Sequence, residues 1–240
     1  MTAATFITGA SRGIGRAIAL ALAGEGHSLF LLARDEQALK SCVSATRDLG
    51  AQVDFLAGDL KDRTYADLAI ARAKDRFGEI NVLINNAGKA THQPVQALDM
   101  AVWQDTVEVN LDAAVYLCSR IVPQMIDRRA GAIINISSIS ARITSAGSAI
   151  YCASKHALNG FTGCLYEDVR EYGIKVSAIM PGFVNTALTA GAGLDVSKMI
   201  QPEDVADAVR YVLSSSAACC PTEIVLRPQS SPLRDLNSDE

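Results

Sequence analysis

Apolar and polar positions along this chain follow two periods that take turns. Short, nearly continuous apolar runs at residues 3–8, 28–33, 52–57, 80–84, 131–137, 174–180 and 222–226 read as strands buried on both faces. Between them, apolar residues recur at helical spacing over 16–24, 35–49, 62–77, 98–128, 151–170 and 201–214. Local signals agree with these bounds. Asp35 is placed to cap the second helix, Gly78 closes the third, and Pro202 followed by two acids opens the last. Ala153, Ala157, Gly160 and Gly163 would let another backbone approach the helix at 151–170. Strand and helix alternate without a linker, repeat or low-complexity stretch. The pattern predicts an α/β fold: one doubly wound, seven-stranded parallel sheet with helices on both faces. The domain spans residues 1–227, and a polar tail at 228–240 is expected to fray.

Ligands of such sheets bind beyond the carboxyl ends of the strands. Candidate chemistry collects there: the run from Gly9 to Gly15, Arg34, Asp59, the run from Asn86 to Gly88, Ser138, and the run from Pro181 to Thr186. Strand, Gly-rich turn and helix is the context in which backbone N–H groups and a helix N-terminus hold a phosphate. The second strand ends in Ala33-Arg34, where an NAD-specific fold places an acid on the ribose 2′-OH. A guanidinium there, with Arg12 on the same side, pairs with a 2′-phosphate and favours NADP(H). Tyr151 and Lys155 are four residues apart, on one face of a helix. An ammonium beside a phenol favours the phenolate, so the pair can give and take a proton. Asn110 lies between Val109 and Leu111, where a helix disfavours an amide without a partner.

Composition narrows the partners. Apolar residues make up 49 % of the 240, enough for a sizeable core, and a formal net charge of −4 leaves no basic footprint for nucleic acid. The N-terminus enters an apolar run without a basic region, and no apolar run is long enough to span a bilayer. Neither signal peptide nor membrane segment is expected, and the cytoplasm is the expected location. Six cysteines (Cys42, Cys118, Cys152, Cys164, Cys219, Cys220) form no C-x-x-C, and the three His are far apart. No metal site is signalled; buried free thiols in a reducing compartment are expected.

The motifs together resemble the single-domain short-chain dehydrogenases/reductases, over about residues 3–227. Thr8-Gly9-x-x-x-Gly13-x-Gly15, with Ser11, Arg12 and Ile14 between the glycines, looks like the family's cofactor loop. Asp59-Leu60 looks like its adenine contact, and Asn85-Asn86-Ala87-Gly88 matches its Asn-Asn-Ala-Gly motif. Asn110, Ser138, Tyr151 and Lys155 match its catalytic tetrad, with the family's 13-residue step from Ser to Tyr. Pro181-Gly182, Val184 and Thr186 match its nicotinamide-side motif. The overall pattern is most similar to the 3-oxoacyl-(acyl-carrier-protein) reductases.

The resemblance implies a Rossmann-type fold and hydride transfer between NADP(H) and a carbonyl or alcohol. Tyr151 would donate the proton and Ser138 would hold the carbonyl oxygen. Lys155 would lower the Tyr151 pKa and hold the nicotinamide ribose, and Asn110 would hold a relaying water. A homotetramer or homodimer, packed through the helices around 110–128 and 151–170, is implied as well. The segment 187–194 is expected to be mobile and to form an open apolar wall over the substrate. Ala141, Arg142, Ile143 and Thr144 should stand opposite with His92 nearby, and Arg142 could meet an anionic group. Arg129 matches one of two basic positions that the acyl-carrier reductases present to their carrier. The other is Tyr172, with Arg170 close by as a substitute, and the last strand ends Leu226-Arg227-Pro228 where many relatives carry Asp-Gly-Gly. An acyl thioester therefore stands beside other substrates: a ketone, keto ester, hydroxysteroid or sugar alcohol. The reading from a different class is a non-catalytic NADP(H) sensor, which usually lacks the Tyr or the Lys that this chain keeps.

Overall fold

The computed structural model describes residues 3–233. Its strands are β1 (Ala4–Thr8), β2 (Ser28–Ala33), β3 (Val53–Ala57), β4 (Val82–Asn85), β5 (Gly131–Ile136), β6 (Ile174–Pro181) and β7 (Glu223–Leu226). They form one parallel sheet in the order β3-β2-β1-β4-β5-β6-β7, as the alternating pattern predicts. The helices are α1 (Gly13–Gly24), α2 (Glu36–Asp48), α3 (Arg63–Phe77), α4 (Met100–Val107), α5 (Ala113–Arg128), α6 (Ala149–Val169) and α7 (Pro202–Ser214). The direction of winding reverses between β1 and β4, which opens a crevice at their carboxyl ends.

Strand alternation divides the core in two. Ile7, Leu31, Ile134 and Ile179 face α1, α2 and α7, where Ile18, Leu39, Val205 and Val209 are buried. Phe6, Phe30, Leu83, Ile133 and Val176 face α3, α5 and α6, where Ile70, Leu117, Ile121 and Leu165 are buried. A polar ladder crosses the second layer. Asn85 Nδ2 donates to Asn135 Oδ1 at 2.8 Å, and Asn135 Nδ2 donates to Thr162 Oγ1 on α6 at 2.7 Å. Such pairs fix the helix against the strand ends, because an unmatched buried amide is costly.

Several expectations change. The helix predicted at 98–128 is three pieces: α4, a π-helical turn from Glu108 to Asp112, and α5. Asn110 sits in that turn, and its amide takes partners outside the helix, the usual setting of a π-bulge. Only Cys42, Cys118 and Cys152 are buried; all six cysteines are free, but Cys164 and Cys219 are exposed and Cys220 partly so. Among the described residues nothing outside α6 comes within 4 Å of where a Cβ would stand at Gly160 or Gly163, so their face of α6 is open. The tail is tied down as far as Leu233: the Asp195 N–H donates to the Pro232 carbonyl at 2.8 Å, and Leu194 bridges Leu233. Residues 234–240 of the expected tail lie outside the described residues.

Gly15 joins α1 to the sheet. A Cβ there would fall 2.3 Å from the Gly9 carbonyl oxygen and 2.5 Å from Asn86 Nδ2. Gly15→Ala should cost about 1–3 kcal/mol of stability through overpacking. Urea unfolding measures this, and a midpoint equal to wild type would show that the contact is slack.

Candidate active site

The crevice starts from one threonine. Thr8, the last residue of β1, accepts the N–H groups of Asn86 and Ala87 on its Oγ1, both at 2.9 Å. Asn86 Nδ2 answers with bonds to the carbonyls of Thr8 and Gly9, at 2.9 and 3.1 Å. The loop after β1 is thereby stapled to the loop after β4. Gly9 and Gly13 adopt left-handed φ of 65° and 54°, which side-chain-bearing residues resist. Their openness is used: a Cβ on Gly13 would stand 3.1 Å from the Thr186 methyl.

A cleft of about 670 Å³ runs along these strand ends. Gly9, Ser11, Arg12, Gly13 and Ile14 form its floor at the start of α1. Arg34, Asp59 and Leu60 line one end; Asn86, Ala87 and Gly88 the middle; Ser138, Tyr151 and Lys155 the other end. Pro181, Gly182, Val184 and Thr186 close the far wall. Gly15, expected among the cofactor contacts, is not in the lining; it packs behind Gly9. Asn110 is also outside the lining. Its amide oxygen accepts from the Lys89 N–H at 2.8 Å, and its Nδ2 donates to the Lys89 carbonyl and to Ser154 Oγ, both at 3.0 Å. It therefore braces the loop after β4 against α6 from behind.

Charge is distributed unevenly along the cleft. Arg12 and Arg34 are exposed, and among the described residues neither has a carboxylate partner. Asp35, beside Arg34, turns away to cap α2, accepting the Ala38 N–H at 3.0 Å. At the other end Lys155 is buried and donates to the Ile136 carbonyl at 3.0 Å, with its Nζ 5.9 Å from the Tyr151 ring centre. Burial pushes Lys155 down to about 8. Burial also raises Tyr151, against a hydrogen bond with Ser138 that lowers it. In the chain alone, then, desolvation dominates at Tyr151, and the phenol is held neutral rather than drawn towards the phenolate that the sequence suggested.

Sequence reasoning missed Lys89, Gly58, Val109 and Ser137, all in the lining. Lys89 and Gly58 could have been found, since each stands at or next to a strand end already singled out. Lys89 pairs with Asp105, which also accepts from Lys61 at 2.6 Å; the two ammonium groups, Lys61 first, hold Asp105 down to about 2. Of the segment expected to cover the substrate, Ala187 and Leu188 reach the cleft, together with the neighbouring Val184 and Thr186 wall and Thr189. The segment is held at its base: Thr189 Oγ1 bonds the Val184 carbonyl at 2.6 Å, and the Asn185 N–H bonds the Ile200 carbonyl at 2.8 Å. Ala141, Arg142, Ile143, Thr144 and His92 do not line the cleft. Arg142 is paired with Glu223 at the start of β7.

Switch-point sheet, glycine turn and Tyr–Ser–Lys cluster define a dinucleotide-type α/β site. The family model for short chain dehydrogenases matches residues 3–196, and the chain belongs to that family. An uncharacterised oxidoreductase of Staphylococcus saprophyticus is 31 % identical over 223 residues, covering 92 % of this chain and 95 % of the relative. An actinorhodin polyketide ketoreductase variant, solved with NADPH, superposes with a TM-score of 0.89 at 28 % identity, covering 95 % of this chain and 96 % of its own. A metagenomic short-chain oxidoreductase solved with NADP superposes at 0.84 and 30 % identity, covering 95 % and 98 %. Among the described residues no helix is long and apolar enough to cross a membrane, and no group of side chains could hold a metal ion.

The Lys155 environment has a sign that can be measured. Its folded pKa, about 8, lies below the ordinary lysine value near 10.4. The charging cost is present in full below pH 8 and disappears as pH rises past the unfolded value. Relative to wild type, Lys155→Met should therefore gain about 2–3 kcal/mol more stability at pH 7 than at pH 10. Urea titrations at both pH values check this; a pH-independent difference would contradict the burial argument.

Proposed function

We propose that this chain reduces a ketone to a secondary alcohol with NADPH, or runs the reverse reaction, with Tyr151 as the proton donor. The observation that carries this is one cleft with two kinds of end. Tyr151, Ser138 and Lys155 stand together at one, and the unpaired guanidinium groups of Arg12 and Arg34 stand at the other. The residues present fit the cofactor: a glycine turn open to a pyrophosphate, and two cations where a 2′-phosphate would lie. When bound, NADPH supplies the hydride. Ser138 holds the carbonyl oxygen beside the Tyr151 phenol, so the proton travels one hydrogen bond as negative charge develops there. Lys155 holds the nicotinamide ribose and, with Asn110 bracing the same wall, keeps Tyr151 in register. The ketoreductase relative in fold, solved with NADPH, supports the same chemistry.

An acyl thioester on an acidic carrier is a special case of this reading. The basic side chains it would use are engaged within the chain. Arg129 donates to the Glu171 carbonyl at 2.6 Å and lies over Tyr172, while Arg170 pairs with Glu167. A free ketone is the better-supported substrate.

Tyr151→Phe should lower kcat about 10²–10⁴-fold while leaving NADPH affinity near wild type. Stopped-flow NADPH oxidation with a ketone panel, beside fluorescence titration of NADPH, tests both halves; a near-normal rate refutes the assignment. Arg34→Asp should reverse the cofactor preference, losing roughly tenfold to hundredfold in NADPH affinity through one charge-assisted contact. Unchanged discrimination between NADPH and NADH would remove Arg34 from the phosphate site.

A further inference from the structure

We infer that the substrate of this site is an uncharged ketone with an apolar body, and that the mouth of the cleft disfavours carboxylates. This rests on the ketone-reductase reading and names its substrate class. The argument comes from how cations are paired. Toward the Tyr151 end, the two cations of the cleft wall, Lys89 and Lys155, are already engaged by the chain itself. Lys89 in the cleft wall is held by Asp105, and Arg142, four residues after Ser138, is held by Glu223. Lys155 is buried with its Nζ on the Ile136 carbonyl. At the cofactor end the opposite holds, since Arg12 and Arg34 are left without carboxylate partners. Guanidinium groups stay free where a phosphate is expected and are neutralised where substrate enters.

The covering segment adds apolar side chains, Ala187 and Leu188, to that end of the lining. Leu188 lines the cleft and is 53 % exposed. Ile143, outside the lining, is equally exposed, and its carbonyl lies against the thiol of Cys152, next to Tyr151. A carboxylate at this mouth would leave water for apolar side chains and would have to break an internal ion pair to find a partner. An alkyl body would find Leu188 and Ala187.

The test uses the full chain with saturating NADPH and two substrate series. One compares levulinate with its methyl ester; the other lengthens a methyl alkyl ketone one carbon at a time. The ester should exceed the acid in kcat/KM by at least about tenfold, the scale of one unpaired polar contact. Each added methylene should raise kcat/KM up to about fourfold until the cleft is filled. Leu188→Asn should flatten that rise. Turnover that depends on Tyr151 but treats acid and ester alike, or ignores chain length, overturns this inference and leaves the reductase reading standing. Absence of any Tyr151-dependent turnover on both series overturns the two together.

Discussion

The hydroxyl of Thr8 is the contact on which the architecture of the site depends. It accepts two successive backbone N–H groups from the loop after β4, while Asn86 returns two bonds to the loop after β1. Those loops leave neighbouring, hydrogen-bonded strands at the point where the winding reverses, and the Thr8 and Asn86 bonds carry that spacing past the strand ends. With the spacing fixed, the glycine turn presents its backbone to the cleft and α1 begins at a defined angle. Gly15 then has no room for a side chain, because the stapled loops fill the space where one would go.

A second layer of order lies beneath the Tyr151 end of the cleft. Asn85, Asn135 and Thr162 link β4, β5 and α6 across a buried polar ladder, and Asn110 links the loop after β4 to the same helix through Ser154. α6 carries Tyr151 and Lys155, so both side chains ride on a helix pinned at two heights. Rigid mounting and a dry setting go together. Burial is what lowers Lys155 and raises Tyr151, and a low local dielectric strengthens any charge brought against them.

Much of this was legible in the sequence because the sheet is parallel and buried on both faces, which makes its strands continuous apolar runs. Loops at strand ends then follow from topology, so the stretches that reach the cleft could be named, and the family resemblance supplied residues within them. What sequence could not show was direction. Gly15 and Asn110 belong to motifs whose neighbours line the cleft, yet one packs behind a turn and the other behind a loop, a matter of which way a chain faces after folding. The π-helical turn at Asn110 left no break in the apolar periodicity, so 98–128 read as one helix. Long-range ion pairs such as Arg142 with Glu223 join residues far apart in sequence, and no local pattern carries them.

The free guanidinium groups of Arg12 and Arg34 have a consequence for how the protein behaves in solution. An exposed cation without a partner attracts any oxyanion, and its reach is set by the ionic strength, about 10 Å at 0.1 M salt. Binding of any oxyanion at this end is therefore a screened, salt-dependent encounter, and phosphate or sulfate in a buffer would meet the same two side chains. Ionic strength and the choice of buffer anion therefore act directly on this end of the cleft.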